Sequence, residues 1–296
     1  MSPQLIAFIV LVVVNFMLIV GMVFLERKDP KSCIAWALSF LVLPFVSWFI
    51  YIMVGKGPKF SKRRWSKRKQ LADKKLEQRL KNGDFNFYEG SNNENSQIVK
   101  LNYYYGGSPC QSNNEVDFFI DAHEMYDRQL EDIKNATESI NVMYYLFKSD
   151  AAGKTLRDAL IEKAKQGVKV NVVYDSSGNL KTNLYFFRDL IKAGGKVHPF
   201  FPSIFKLINS NFCYRNHRKI VVIDGKIGYI GGMNIGVDYL SQDKRIKPWR
   251  DTHLRIVGES VCMLQTRFIK DFTCSSKRAI IDDDITPFFD TNKYFP

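Results

Sequence analysis

A chain of 296 residues has room for one large globular domain or two small ones beside any membrane segment, and its net charge of +13 raises nucleic acid or an anionic membrane as partner. Between Lys56 and Lys75, ten Lys or Arg against the single acid Asp73 carry +9 of that +13, so the remainder is only mildly basic and no nucleic-acid partner is expected. The five cysteines, Cys33, Cys110, Cys213, Cys262 and Cys274, are odd in number, scattered and free of any CxxC pair, which argues against a disulfide framework or a zinc site.

Leu5 to Leu25 is an uncharged run of 21 residues with one strongly polar side chain, Asn15. At about 1.5 Å per residue it matches a hydrocarbon core of roughly 30 Å and predicts a transmembrane helix. The flanks Met1-Ser-Pro-Gln4 and Glu26-Arg-Lys28 lack the basic start and small-residue cleavage site of a signal peptide. Cys33 to Val54 is a second uncharged run, of 22 residues, with Pro44 as a tolerated kink and Trp36, Trp48 and Tyr51 as interfacial anchors. Residues 1–55 thus predict a transmembrane hairpin; the competing reading is two buried helices of a soluble core. Three Lys or Arg in the connection against ten just after the second run place the following domain in the cytoplasm, on a multi-pass membrane protein.

Residues 56–97 read as a linker, with the basic run Lys59 to Lys69, a Lys/Glu-rich helical stretch to Lys81 and a segment rich in Asn and Gly. The basic run is a topology signal, a collector of anionic membrane lipids, or both, since each basic residue near such a surface contributes about 1 kcal/mol.

Residues 98–280 read as one α/β domain. An amphipathic helix around Phe119 to Thr137 leads to a strand within Ser139 to Phe147. A helix from Gly153 to Gln166 ends at Gly167, and Val168 to Tyr174 is the next strand. A helix from Leu184 to Ala193 ends at Gly194-Gly195 and feeds the strand Lys196 to Phe200. This alternation predicts a mostly parallel sheet flanked by helices. Tyr145 and Phe147 are assigned to its core. Lys219 to Ile223 and Lys226 to Ile230 then flank Asp224-Gly225, a strong hairpin signal.

His217 and Lys219, two residues apart on an extended chain, project to one side. Gly231-Gly232-Met233-Asn234 follows, its glycines permitting backbone approach to a ligand. Such a set suits phosphate chemistry without a metal: the imidazole attacks phosphorus while ammonium and amide hold the phosphoryl oxygens. No His, Cys, Asp and Glu cluster has the spacing of a metal site, and no cofactor is implied. A lone His on a strand is more often structural, but the spacing here is HxKxxxxD followed by GGxN.

That pattern resembles the signature of the phospholipase D superfamily. The two N-terminal spans, Glu26-Arg-Lys-Asp-Pro30, the basic run, Asn216-His-Arg-Lys219, Gly231 to Gly236 and Trp249-Arg-Asp-Thr-His253 further resemble the N-terminal half of the bacterial cardiolipin synthases. The resemblance implies transfer of a phosphatidyl group between two phosphatidylglycerol molecules through a phosphohistidine, at a bacterial cell membrane. It makes His217 the nucleophile or its general-acid counterpart, gives the phosphate to Lys219, Asn234 and Gly232, and leaves Asp224 to order the motif. Asp251 is a candidate acceptor of the His217 Nδ1 proton, or else a surface turn acid.

Members of this kind carry two such motifs, and His123, His198 and His253 have no Lys two residues on, so the sequence holds one. Residues 281–296 read as the start of a linker between halves. Three expectations stay open: a homodimer that completes the site, as in a phosphodiesterase of the superfamily; a truncated or half enzyme needing a separate second half; or a non-catalytic regulator or vestigial paralogue.

Overall fold

The computed structural model describes residues 2–25, 30–51, 96–106, 110–111, 113–176, 178–179, 182–200, 215–241 and 249–276. The basic run of residues 59–69, the helical stretch to Lys81 and residues 281–296 lie outside them. The chain divides into two units, one of which holds the N-terminal helices and the other the α/β domain.

In the first unit α1 spans Pro3–Leu25, and its Pro3–Gly21 portion has a mean hydropathy of 2.7. Among the described residues this is the one helix long and apolar enough to cross a membrane. Its outward apolar side chains, such as Phe8 and Phe16, are left uncovered by protein. The second expected span is not one continuous helix: α2 covers Pro30–Val42 and α3 covers Pro44–Ile50. Leu43, at φ −137° and ψ 68°, leaves the helical region because the proline ring after it disfavours that conformation. The remainder of that run, residues 52–54, falls outside the described residues. Asn15, the polar residue of the first run, is buried and accepts a hydrogen bond from Trp48 Nε1 at 2.8 Å, which ties α1 to α3 and satisfies both groups. Trp36 and Phe40 each pack edge to face with Tyr51, in one cluster with Trp48.

The second unit opens with α4 (Ser96–Gly106). It continues through β1 (Asn114–Phe119), α5 (Ala122–Asn135), β2 (Ser139–Tyr144), α6 (Ala151–Lys165), β3 (Lys169–Asp175), α7 (Arg188–Lys192) and β4 (Lys196–Phe200). β5 (Ile220–Ile223), β6 (Ile227–Gly231), β7 (His253–Gly258) and α8 (Val261–Ser275) complete it. The strands form one sheet in the order β1-β7-β6-β5-β2-β3-β4. It is mixed, and the expectation of a mostly parallel sheet is corrected: only β2-β3 and β3-β4 are parallel, while β2-β5, β5-β6, β6-β7 and β7-β1 are antiparallel. The parallel pairs are those joined by helical crossovers. The two-residue turn at Asp224 and Gly225, with φ of 53° and 68°, forces β6 to run back along β5.

One face of the sheet, including Tyr144, Val172, Val221 and Tyr229, buries Met125 and Ile133 of α5, Leu156 and Leu160 of α6 and Leu190 of α7. The other, including Met143, Val173, Ile220 and Val222, meets Phe268, Ile269 and Phe272 of α8. β2 is buried at every residue, as a strand covered on both faces must be. Asp121 caps α5 by accepting from His123 N at 2.7 Å, and Asp150 caps α6 by accepting from Gly153 N at 3.1 Å. The helix expected from Leu184 is shorter than read, because residues 184–187 form turns before α7.

Candidate active site

Five strands meet at one end of the sheet, where β2, β3 and β6 finish and β5 and β7 begin. Met143 of β2 pairs with Ile220 of β5, Ile220 with Ile230 of β6, and Gly231 with His253 of β7. Residues 215–219, just before β5, therefore lie beside the end of β6, the start of β7 and the ends of β2 and β3. Asp224 sits at the far end of β5, beside Ser139, and is separated from His217 by on the order of 20 Å of extended chain. Its carboxylate accepts from Thr137 N at 2.8 Å, Thr137 Oγ1 at 3.1 Å, Glu138 N at 2.8 Å and Ser139 N at 2.8 Å. The third residue of the motif thus pins the α5–β2 connection and does not join the histidine.

His217 and Lys219 are brought together. The Lys219 ammonium lies 3.2 Å from Nδ1 and 3.1 Å from Nε2 of His217, and donates to the His217 carbonyl at 2.9 Å. Nearly equidistant from both ring nitrogens, it lies against the imidazole rather than along a single lone pair. Lys219 is 2% exposed, and burial pushes its pKa down to about 8, against the pull of Asp251. His217 is exposed, yet its pKa is lowered, first by desolvation and then by Lys219, with Asp175 and Asp251 opposing. Desolvation and Lys219 both favour the neutral imidazole.

The preceding residue fixes the backbone. Asn216 donates its N–H to Asp175 Oδ2 at 2.9 Å and its amide to Asp271 Oδ2 at 3.1 Å, and Asp271 is clamped by Arg267 one helical turn away. Alternation sends Arg218 to the α8 side, where it lies 3.5 Å from the same Asp271. Asp175 was not singled out from sequence, although its place at the carboxyl end of a buried parallel strand is where open α/β sheets bind ligands.

The glycines admit protein rather than empty space. A Cβ on Gly232 would stand 2.0 Å from Asp251 Oδ1 and 2.6 Å from Oδ2, and one on Gly231 would meet His253 Cα at 2.5 Å. Asp251 thereby lies against the GGMN turn, with Oδ1 accepting from Thr252 N at 2.8 Å. It makes no hydrogen bond to His217 among the described residues, but its charge raises the pKa of His217, Lys219 and His253 alike. Asn234 is buried and spends its carbonyl on Leu146 N at 3.0 Å; burial raises the pKa of the neighbouring Tyr239, with a hydrogen bond to Asn234 opposing.

Phe147 is fully buried, but Tyr145, also assigned to the core, is only half-buried and stands at the site. Its ring centroid is 4.6 Å from that of His217 and 5.6 Å from Lys219 Nζ. The sequence signal was the alternation itself: Tyr144 faces the core, so its neighbour lies past the strand end, where the chain turns toward the motif.

A mixed α/β domain with an exposed histidine set on a buried lysine at its strand ends defines a phospholipase D-like class of site. Residues 129–245 match the family model described as cardiolipin synthase, PLD-like domain. The chain is 39% identical over 276 residues to a cardiolipin synthase of Oceanobacillus iheyensis, covering 91% of this chain and 57% of that one. It is 37% identical over 279 residues to a cardiolipin synthase of Listeria monocytogenes, covering 93% of this chain and 58% of that one. It therefore spans somewhat more than half the length of these curated relatives. Among solved structures it is similar to a phospholipase D family member, Nuc from Salmonella typhimurium, with a TM-score of 0.42 at 16% identity, over 57% of this chain and 100% of that one.

Proposed function

We propose that the chain supplies one half of a cardiolipin synthase-type phosphatidyltransferase, anchored in the bacterial cell membrane with its α/β domain facing the cytoplasm. The observation that carries this reading is His217, exposed and held neutral with Lys219 within 3.2 Å of both ring nitrogens. In the first step a ring nitrogen attacks the phosphorus of one phosphatidylglycerol. The P–O bond to the head-group glycerol breaks, and the glycerol oxygen takes a proton from an acid on the opposite side. In the second step a hydroxyl of another phosphatidylglycerol attacks the phosphohistidine, giving its proton to that same group and releasing His217. Lys219 offsets charge on the phosphoryl oxygens, and Gly232 and Asn234 of the GGMN turn bind the phosphate beside it. Asp251 acts on His217 through its charge and stabilises the cation formed on attack.

One imidazole cannot stand on both sides of phosphorus, so a second phospholipase D-like half provides the acid. The test incubates the full chain in detergent with a labelled phosphatidylglycerol, with and without a co-expressed second half. It quenches under alkaline denaturing conditions and maps the adduct by mass spectrometry. An acid-labile label on the His217 peptide, absent from His217→Ala, is expected. Turnover that survives His217→Ala, or full synthase activity from a strictly monomeric preparation, refutes the reading.

A further inference from the structure

His253 opens β7 with its Cα opposite Gly231 of β6 and Phe119 of β1, one residue pair from the Asp251 that lies against Gly232. It is 1% exposed, and neither ring nitrogen has a hydrogen-bond partner among the described residues. Leaving a buried polar atom unsatisfied costs about 1–3 kcal/mol, and a phenylalanine would fill similar space without that penalty. The ring fits over Gly231, where a Cβ would stand 2.7 Å from His253 Cγ.

The groups that face it divide cleanly. Tyr229, with its ring 6.4 Å away, donates its hydroxyl to Asp132 of α5, and Arg255, next along the same face of β7, is held by Asp132 and by Asp117 of β1. Phe119 offers nothing polar. The charges left to interact with His253 are Asp251 and Lys219, and both act on it. Burial pushes its pKa down to about 4, so at neutral pH the ring carries one N–H donor and one acceptor.

We propose that His253 is a positioning residue that steers the Asp251 carboxylate toward His217, donating its N–H to Asp251 through one buried water. Without that donor, Asp251 turns outward to solvent or to Lys219 and no longer supports the His217 imidazolium. The inference deepens the phosphatidyltransferase reading and rests on it for its purpose, but the arrangement itself is testable without turnover.

The chain has four histidines, so their ring signals can be followed one by one in the ¹⁵N-histidine-labelled full chain in detergent micelles over a pH series. Asp251→Asn is expected to lower the His217 midpoint, since Asp251 raises it. His253→Phe is expected to lower it in the same direction, and the double variant to go no lower than Asp251→Asn alone. His253→Gln, which keeps a donor in the same space, is expected to stay near the wild-type midpoint. The proposal is overturned by a His217 midpoint unmoved in His253→Phe, by shifts that add in the double variant, or by a Gln variant as displaced as the Phe one. Loss of phosphatidyl transfer with this pattern intact would defeat the enzymatic reading and leave the positioning role standing.

Discussion

Replacing Asp224 by Ala removes an acceptor that holds four donors across the α5–β2 connection. At about 0.5–1.5 kcal/mol for each hydrogen bond, with the water-accessible donors at the low end, the loss is about 2–4 kcal/mol. Alanine must also adopt the left-handed backbone that Asp224 holds at φ 53°, which adds about 1 kcal/mol. For a domain of this size each kcal/mol lowers the melting temperature by roughly 2–4 °C, so a fall of about 6–20 °C is expected for Asp224→Ala. Asp224→Asn tolerates the backbone and keeps one oxygen, but turns an amide against either Thr137 or the N–H pair of Glu138 and Ser139, so about half the loss is expected. The assay is thermal unfolding of the full chain in detergent, followed by tryptophan fluorescence, beside capture of the His217 adduct at a temperature where each variant is folded. An Ala variant that melts like the wild type yet cannot be labelled would show that Asp224 acts on the substrate, and the structural assignment would be wrong.

Three further outcomes follow from the same geometry. Lys219 has a folded pKa of about 8 against an ordinary 10.5, so its buried charge burdens the fold fully below pH 8 and the burden is relieved as pH rises toward 10.5. Lys219→Met should therefore raise the melting temperature at pH 7 while abolishing adduct formation, and wild-type labelling should fall above about pH 8; a profile flat to pH 10 would contradict the role given to the ammonium. Gly232→Ala puts a methyl 2.0 Å from Asp251 Oδ1, but the carboxylate can swing aside, so labelling of His217 should drop at least tenfold with little change in melting; a variant as active as the wild type would remove Asp251 from the mechanism. A cysteine placed at Ser91 should stay unmodified by a membrane-impermeant reagent in intact cells, and its labelling would reverse the orientation inferred from the positive charge.

Several features of this chain were legible from residues alone because their causes are local. The α1 helix follows from an uncharged run of sufficient length, and the β5–β6 hairpin from Asp-Gly, a pair that tolerates two positive φ values. The pairing of His217 with Lys219 needed only the two-residue repeat of an extended chain. The break before α3 was read as a kink, although proline decided its place as well.

Sheet direction was not legible, because β5 meets β2 across some 80 residues and sequence alternation says only that strands and helices succeed one another, not which edge a returning strand joins. The parts of the site that depend on such encounters were decided by packing. Asp251 reaches the GGMN turn because β6 and β7 align Gly231 with His253, and Asp175 holds Asn216 from a strand 41 residues earlier. Tyr145 turns to His217 where β2 ends, and His253 is buried at the start of β7. Each contact is set by the register of strands distant in the chain, and register follows from how whole faces bury against α5, α6 and α8, which no local spacing encodes.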